Sequence, residues 1–297
     1  MTRRKKSADR VNAQGRGTSK DIRAIEQLRG QEWARPLIKE IEQQGGIDAA
    51  PLGLRFNLRF AHEMRLACPD SPAQYEFNAG VGGSTVDFLL DHGGVRWLIE
   101  LVALGETQTI RKLRESSRTQ VGQAFEDTVF LSSSAANRHE TPFGELVHIS
   151  EKLLDKVWDK NEGRPSKFPE SRPGWGHILV VNMAGFEGDG DPDVYHCREV
   201  VLGSSAVPAE YRSDPDTPIM GLFDPRNPRA ESIAFRARVD VVVFVAERPG
   251  ADDDEEIRRT AFILRNPSTR RAPRDQQIPI FFSREQRDPL YRSEEGV

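Results

Sequence analysis

The chain has 297 residues, of which 37% are hydrophobic and 30% charged, and its formal net charge is −4. This apolar share is enough for a sizeable core and excludes a wholly disordered chain. The longest apolar run, at 241–246, is far shorter than the roughly 20 residues that a membrane-spanning helix needs. The first twenty residues are polar and lack the apolar segment of a secretion signal. We therefore expect a cytoplasmic protein with no membrane partner.

The charge is unevenly distributed along the chain. Residues 1–20 carry seven basic side chains and one acidic side chain, so the remaining 277 residues sum to −10. A basic tail on an acidic body is compatible with contact to nucleic acid and equally with a solvated, disordered extension. We predict a disordered basic tail at 1–20, one α/β domain at 21–265 and a polar C-terminal tail at 266–297.

Apolar spacing and capping residues predict an alternation of helices and strands after the tail. The predicted helices lie at 21–44, 54–68, 145–160 and 229–238. The predicted strands lie at 75–79, 84–91, 95–104, 177–184, 199–202, 240–247 and 257–265. This order predicts an α/β fold with a mixed central sheet flanked by helices.

The segment 84–104 reads as a β-hairpin that carries two acidic side chains. Burying its large apolar side chains on one face pairs Phe88 with Trp97. In that register Asp87 and Glu100 become diagonal neighbours on the other face, with about 7–8 Å between their backbones. Two carboxylates at this separation suit Mg²⁺ or Mn²⁺. The alternative is an ordinary antiparallel hairpin with its acids on the wet face.

A third acid, Glu63, precedes the hairpin on the predicted helix 54–68. It lies beside the apolar stripe of that helix and not opposite it. Two interpretations stay open. Glu63 either reaches over the sheet toward Asp87 and Glu100, or it is a boundary residue whose carboxylate extends into solvent.

These residues resemble the PD-(D/E)XK nuclease superfamily, which has a restriction-endonuclease-like fold. The resemblance rests on Glu63, on Val86-Asp87-Phe88 and on Ile99-Glu100-Leu101-Val102, and it covers about residues 54–184. It implies a Mg²⁺-dependent endonuclease that hydrolyses phosphodiester bonds of DNA. Asp87 and Glu100 would hold the metal and Glu63 would assist. Residues 185–265 would form a C-terminal extension of the domain.

The sequence departs from the family where the Glu-x-Lys motif has its lysine, because that position is Val102. The family tolerates lysines that have moved to the following helix, so Lys156 or Lys152 would supply the cation from there. The alternative is that these lysines form ordinary surface ion pairs. A non-catalytic protein with the nuclease fold, binding nucleic acid or a protein partner, is therefore the second functional hypothesis.

A basic cluster follows the second acid-bearing strand directly. It contains Arg111, Lys112 and Arg114. If these side chains flank a nuclease cleft, we expect them to contact the phosphates of the nucleic acid. The alternative is a solvated loop without a ligand.

Overall fold

The computed structural model describes residues 18–105, 112, 141–183, 193–248, 258–269 and 279. Its α-helices are α1 Ser19–Leu28, α2 Arg35–Gln43, α3 Leu52–Ala67, α4 Pro142–Leu154, α5 Val194–Leu202 and α6 Ala230–Arg238. Its strands are β1 Ala73–Asn78, β2 Thr85–His92, β3 Val95–Ala103, β4 Trp158–Asp159, β5 Arg164–Pro165, β6 Trp175–Asn182, β7 Val241–Arg248 and β8 Arg258–Arg265. No helix in this part of the chain has the length and apolarity that crossing a bilayer requires.

Six of the strands form one mixed sheet in the order β1-β2-β3-β6-β7-β8. The first three strands and the last pair run antiparallel, whereas β3, β6 and β7 run parallel to one another. The short strands β4 and β5 pair with each other in a separate two-stranded sheet. The predicted α/β class with a mixed central sheet is confirmed.

Helices cover both faces of this sheet. The N-terminal helices α1, α2 and α3 cover one face, which we call the N-terminal face, and pack against side chains such as Trp97 and Ile99 of β3. The later helices α4, α5 and α6 cover the other face, which we call the C-terminal face, and pack against the alternate positions of β3, including Leu98 and Val102. Because side chains alternate along a strand, Glu100 points into the C-terminal face between these last two residues.

The β2–β3 hairpin has a different register from the predicted one. Phe88 pairs with Ile99 and not with Trp97, which shifts the predicted pairing by two residues. Gly93 and Gly94 form the two-residue loop, and their φ angles are 61° and 77°. A type I′ turn needs left-handed backbone at both positions, which two glycines adopt more readily than the predicted His-Gly pair. The shift is even, so Glu100 keeps its predicted face.

The predicted helix 21–44 is interrupted in the structure. Helix α1 ends at Leu28 and α2 begins at Arg35, with a short 3₁₀ turn between them. Gly30 lies in the gap, and Pro36 occupies the first turn of α2. Proline is favoured at a helix start and disrupts a helix interior, which accounts for the break.

The predicted strand 199–202 is wrong, because these residues belong to helix α5. Val200 and Val201 favour a strand locally. The side chain of Asp193, however, caps the helix by accepting a hydrogen bond from Tyr195 N at 2.7 Å. Both valines are fully buried on the C-terminal face, so helix capping and tertiary packing outweigh their strand preference.

Candidate active site

Asp87 lies where the regular pairing of β2 stops. The β2–β3 pairs end at Phe88–Ile99, and the backbone N–H of Leu101 donates to Asp87 Oδ2 at 2.6 Å instead. On the other side of β2, Glu76 of β1 has a left-handed φ of 53° and is skipped in the pairing. This interruption leaves the partly buried Asp87 carboxylate beside the strand that carries Glu100.

Glu100 is fully buried and makes two ion pairs through one oxygen. Its Oε1 accepts from Lys156 Nζ at 2.8 Å and from Lys167 Nζ at 2.5 Å. Its second oxygen, Oε2, is buried and has no hydrogen-bond partner among the residues that the structure describes. An orphaned, buried carboxylate oxygen is costly unless it serves a further ligand. Together with Asp87, this leaves an acid pair with one oxygen available on Glu100.

The two lysines arrive from different parts of the chain. Lys156 lies in the turn after α4, because the helix ends at Leu154 and not at residue 160 as predicted. The buried neighbours Leu153 and Val157 anchor that turn in the core of the C-terminal face. Lys167 follows β5, and its own backbone N–H donates to Ser84 Oγ at 3.1 Å.

Burial and mutual repulsion set the electrostatics of the acid pair. Burial, followed by the negative charge of Glu100, raises the pKa of Asp87 from 3.8 to about 7. The N–H of Leu101 and the two lysines oppose this shift. Burial alone would lower the pKa of Lys156, but the charges of Glu100 and Asp87 outweigh it and raise that pKa. Asp87 therefore changes its charge near neutral pH, while Lys156 stays protonated.

The donor set fits a hard divalent cation. Mg²⁺ is commonly held by one or two protein carboxylates, with water and substrate phosphate completing its octahedron. Asp87 and Glu100 Oε2 supply such a pair. No three His, Cys, Asp or Glu side chains converge as a ligand group within the described ranges. A closed, all-protein metal cage is therefore not formed by these residues.

Glu63 is not brought into a group with the acid pair. It is half-buried on α3, which packs on the N-terminal face. Glu100 points into the opposite face, so the sheet separates the two elements. Among the described residues, the structure therefore shows no three-acid cluster that joins Glu63 to Asp87 and Glu100.

The structure distinguishes between Lys156 and Lys152, which the sequence left as alternative cations. Lys156 contacts Glu100, whereas Lys152 is exposed on α4. Of the predicted phosphate-contacting cluster, Lys112 is exposed. Arg111 and Arg114 lie outside the described residues.

Lys167 was not identified from the sequence. It falls within a polar stretch, 161–172, that has no periodicity and no motif spacing. Its φ of 62° and its contact with Ser84 result from tertiary packing. The only local signal is the glycine-rich segment before β2, which reads as a turn and contains Ser84.

Comparison with protein-family models, with curated proteins and with solved structures finds no match to this chain. Function is therefore inferred from the side chains of the site.

Proposed function

We propose that the chain is a Mg²⁺-dependent phosphodiester hydrolase that acts on DNA and has a restriction-endonuclease-like core over about residues 54–184. The observation that carries this proposal is the buried Glu100, with Asp87 on the neighbouring strand and the ammonium of Lys156 at 2.8 Å. Two acids and a lysine are the residue types that the nuclease resemblance implies. Here the lysine comes from the turn after α4, since the motif position is Val102.

The topology also supports the proposal. Helix α3 is followed by three antiparallel strands, then by α4, and then by β6, which pairs parallel to β3. This is the order of helix, acid-bearing strands, helix and further strand that the resemblance implies. The remaining elements, α5 to β8, extend the sheet on the far side of β6 and form the proposed C-terminal extension.

In the proposed reaction, a water oxygen bonds to phosphorus and the water releases a proton to solvent, while a phosphorus–oxygen bond to the sugar breaks and the departing oxygen takes a proton from solvent. Asp87 and Glu100 would hold Mg²⁺ or Mn²⁺, which when bound supplies positive charge to the phosphoryl oxygens. Lys156 stabilises negative charge that develops on the phosphate. Its position against Glu100 fixes the ammonium, so little reorganisation is needed during the reaction.

One observation favours the alternative of a non-catalytic nuclease-fold protein that binds nucleic acid or a protein partner. Glu100 already pairs with two ammonium groups, Lys156 and Lys167, so its negative charge is balanced without a metal ion. In that case the lysines hold the fold together or bind an anionic partner, and no hydrolysis follows.

A cleavage assay on plasmid DNA and on RNA, with Mg²⁺ or Mn²⁺ and with a chelator, tests the proposal. We expect metal-dependent cleavage of DNA by the wild type. Asp87→Ala and Glu100→Ala should each lower the rate by at least about 100-fold, because charge stabilisation at the phosphate is lost.

Lys160→Met is the matched control for this assay. Lys160 is an exposed lysine that pairs with Asp155 and Glu151 on the surface, and its loss should leave the cleavage rate unchanged. Equal rates in the wild type and both acid variants would contradict the site. Binding of nucleic acid by the wild type without any cleavage would favour the non-catalytic alternative.

A further inference from the structure

Two lysines, Lys156 and Lys167, lie against the buried carboxylate of Glu100. Lys156 and Lys167 share the single oxygen Oε1 of Glu100. The side chain of Lys167 is 23% exposed, so this lysine can contact a second anion from solvent while it pairs with Glu100.

The backbone of Lys167 is held in an uncommon conformation. Its φ of 62° lies in the left-handed region, which a side chain with a Cβ rarely adopts. Such residues persist only where the surrounding structure fixes them, and they concentrate at ligand-binding positions. Here Ser166 N donates to Val157 O at 2.7 Å on one side, and Phe168 is fully buried on the other.

A glycine turn also packs against the segment that carries Lys167. Gly82 and Gly83 have φ angles of 60° and 70°, and Ser84 N donates back to Val81 O at 3.3 Å, as in a type I′ turn. A Cβ at Gly82 would lie 3.7 Å from the Cα of Ser166, so this turn packs closely on the segment that carries the lysine. The turn thereby places Ser84 Oγ under the N–H of Lys167.

We propose that Lys167 contacts a phosphate oxygen of the nucleic acid bound at the Asp87–Glu100 site and that Ser84 is its positioning residue. This inference rests on the proposed function only in taking a nucleic acid as the ligand. A lysine ammonium binds phosphate as a compact point charge with three donors, so it contacts a phosphate while remaining beside Glu100. Lys156 remains paired with Glu100.

The test is the salt dependence of DNA binding, measured by fluorescence anisotropy with a labelled duplex in Ca²⁺ buffer over a range of KCl concentrations. Each phosphate contact contributes about −0.9 to the slope of log K against log salt concentration. Lys167→Met should weaken binding and flatten that slope by about one. Lys160→Met should leave affinity and slope at the wild-type values.

Three further variants distinguish a direct contact of Lys167 from effects on its positioning or on folding. Lys167→Gly removes the ammonium but suits the left-handed backbone, so it should fold and still show the flatter slope. Ser84→Ala should weaken binding while Lys167 is retained, and Ser84→Thr should restore it because the hydroxyl is retained. A purely structural role of Ser84 would lower the melting temperature without changing the salt slope.

The outcomes distinguish this inference from the proposed hydrolysis. A slope and affinity in Lys167→Met and Lys167→Gly equal to those of Lys160→Met would overturn the role of Lys167. Absence of DNA binding by the wild type would overturn both proposals. DNA binding without cleavage would remove only the hydrolase proposal, and a flatter slope in the Lys167 variants would then still support the phosphate contact.

Discussion

Replacing Glu100 with glutamine is expected to lower the free energy of unfolding by about 3–5 kcal/mol, because two ammonium groups lose their buried counter-charge. Glu100 is fully buried, and both Lys156 and Lys167 pair with it. Breaking a buried ion pair by removing one partner leaves an uncompensated charge in a poorly solvated site. Urea unfolding at neutral pH, followed by circular dichroism, measures the change.

Glu151→Gln is the matched control for Glu100→Gln. Glu151 also pairs with two cations, Lys160 and Arg229, but its side chain is 39% exposed. Surface ion pairs contribute about 0–1 kcal/mol, so this variant should be nearly as stable as the wild type. Similar small losses in both variants would contradict the buried charge cluster.

The stability of Asp87→Asn relative to the wild type is expected to increase with pH. The pKa of Asp87 is about 7 in the folded chain, whereas the pKa of an unperturbed aspartate carboxyl is 3.8. Between these pH values the folded chain holds a proton that the unfolded chain has released. Wild-type stability therefore falls as pH rises, by up to about 1.4 kcal/mol for each of the roughly three pKa units. Asparagine does not titrate, so this loss is absent from the variant.

Urea unfolding at about pH 4 and about pH 8 tests this pH dependence. The advantage of Asp87→Asn over the wild type should grow by about 2–4 kcal/mol between the two conditions. Asp91→Asn is the control, because Asp91 lies on the same strand but pairs with Arg96 at the surface. If the stability of Asp87→Asn and that of the wild type changed with pH in parallel, the surroundings of Asp87 would not raise the pKa of its carboxyl. If Asp87→Asn is more stable than the wild type but no longer cleaves DNA, Asp87 lowers the stability of the fold and is needed for activity, as in other stability–activity trade-offs.

The fold class and the acid pair could be predicted because both depend on local patterns. The hairpin places Asp87 and Glu100 on adjacent strands whether the register is the predicted one or the observed one. The observed register differs because two left-handed glycines, Gly93 and Gly94, favour the loop. Hydrophobic burial alone does not distinguish registers that differ by two residues.

The cations of the site were harder to predict than its acids. Lys156 was identified as one of two helix lysines, but it reaches Glu100 because α4 ends at Leu154 and the chain turns there. Lys167 depends on a left-handed backbone and on a long-range contact with Ser84, which no local spacing records. The position of Glu63 depends on which face of the sheet α3 covers. Such packing is decided by the whole fold.

The most direct measurement of the central claim, that Asp87 and Glu100 hold one divalent cation, is a Mn²⁺ titration followed by electron paramagnetic resonance of free Mn²⁺. Loss of even an outer-shell partner typically weakens a metal site by about 10–100-fold. We therefore predict that the wild type binds one Mn²⁺ per chain, that Asp91→Asn does the same, and that Asp87→Asn binds at least about tenfold more weakly. Equal Mn²⁺ binding by the wild type and Asp87→Asn, or none by either, would contradict the claim.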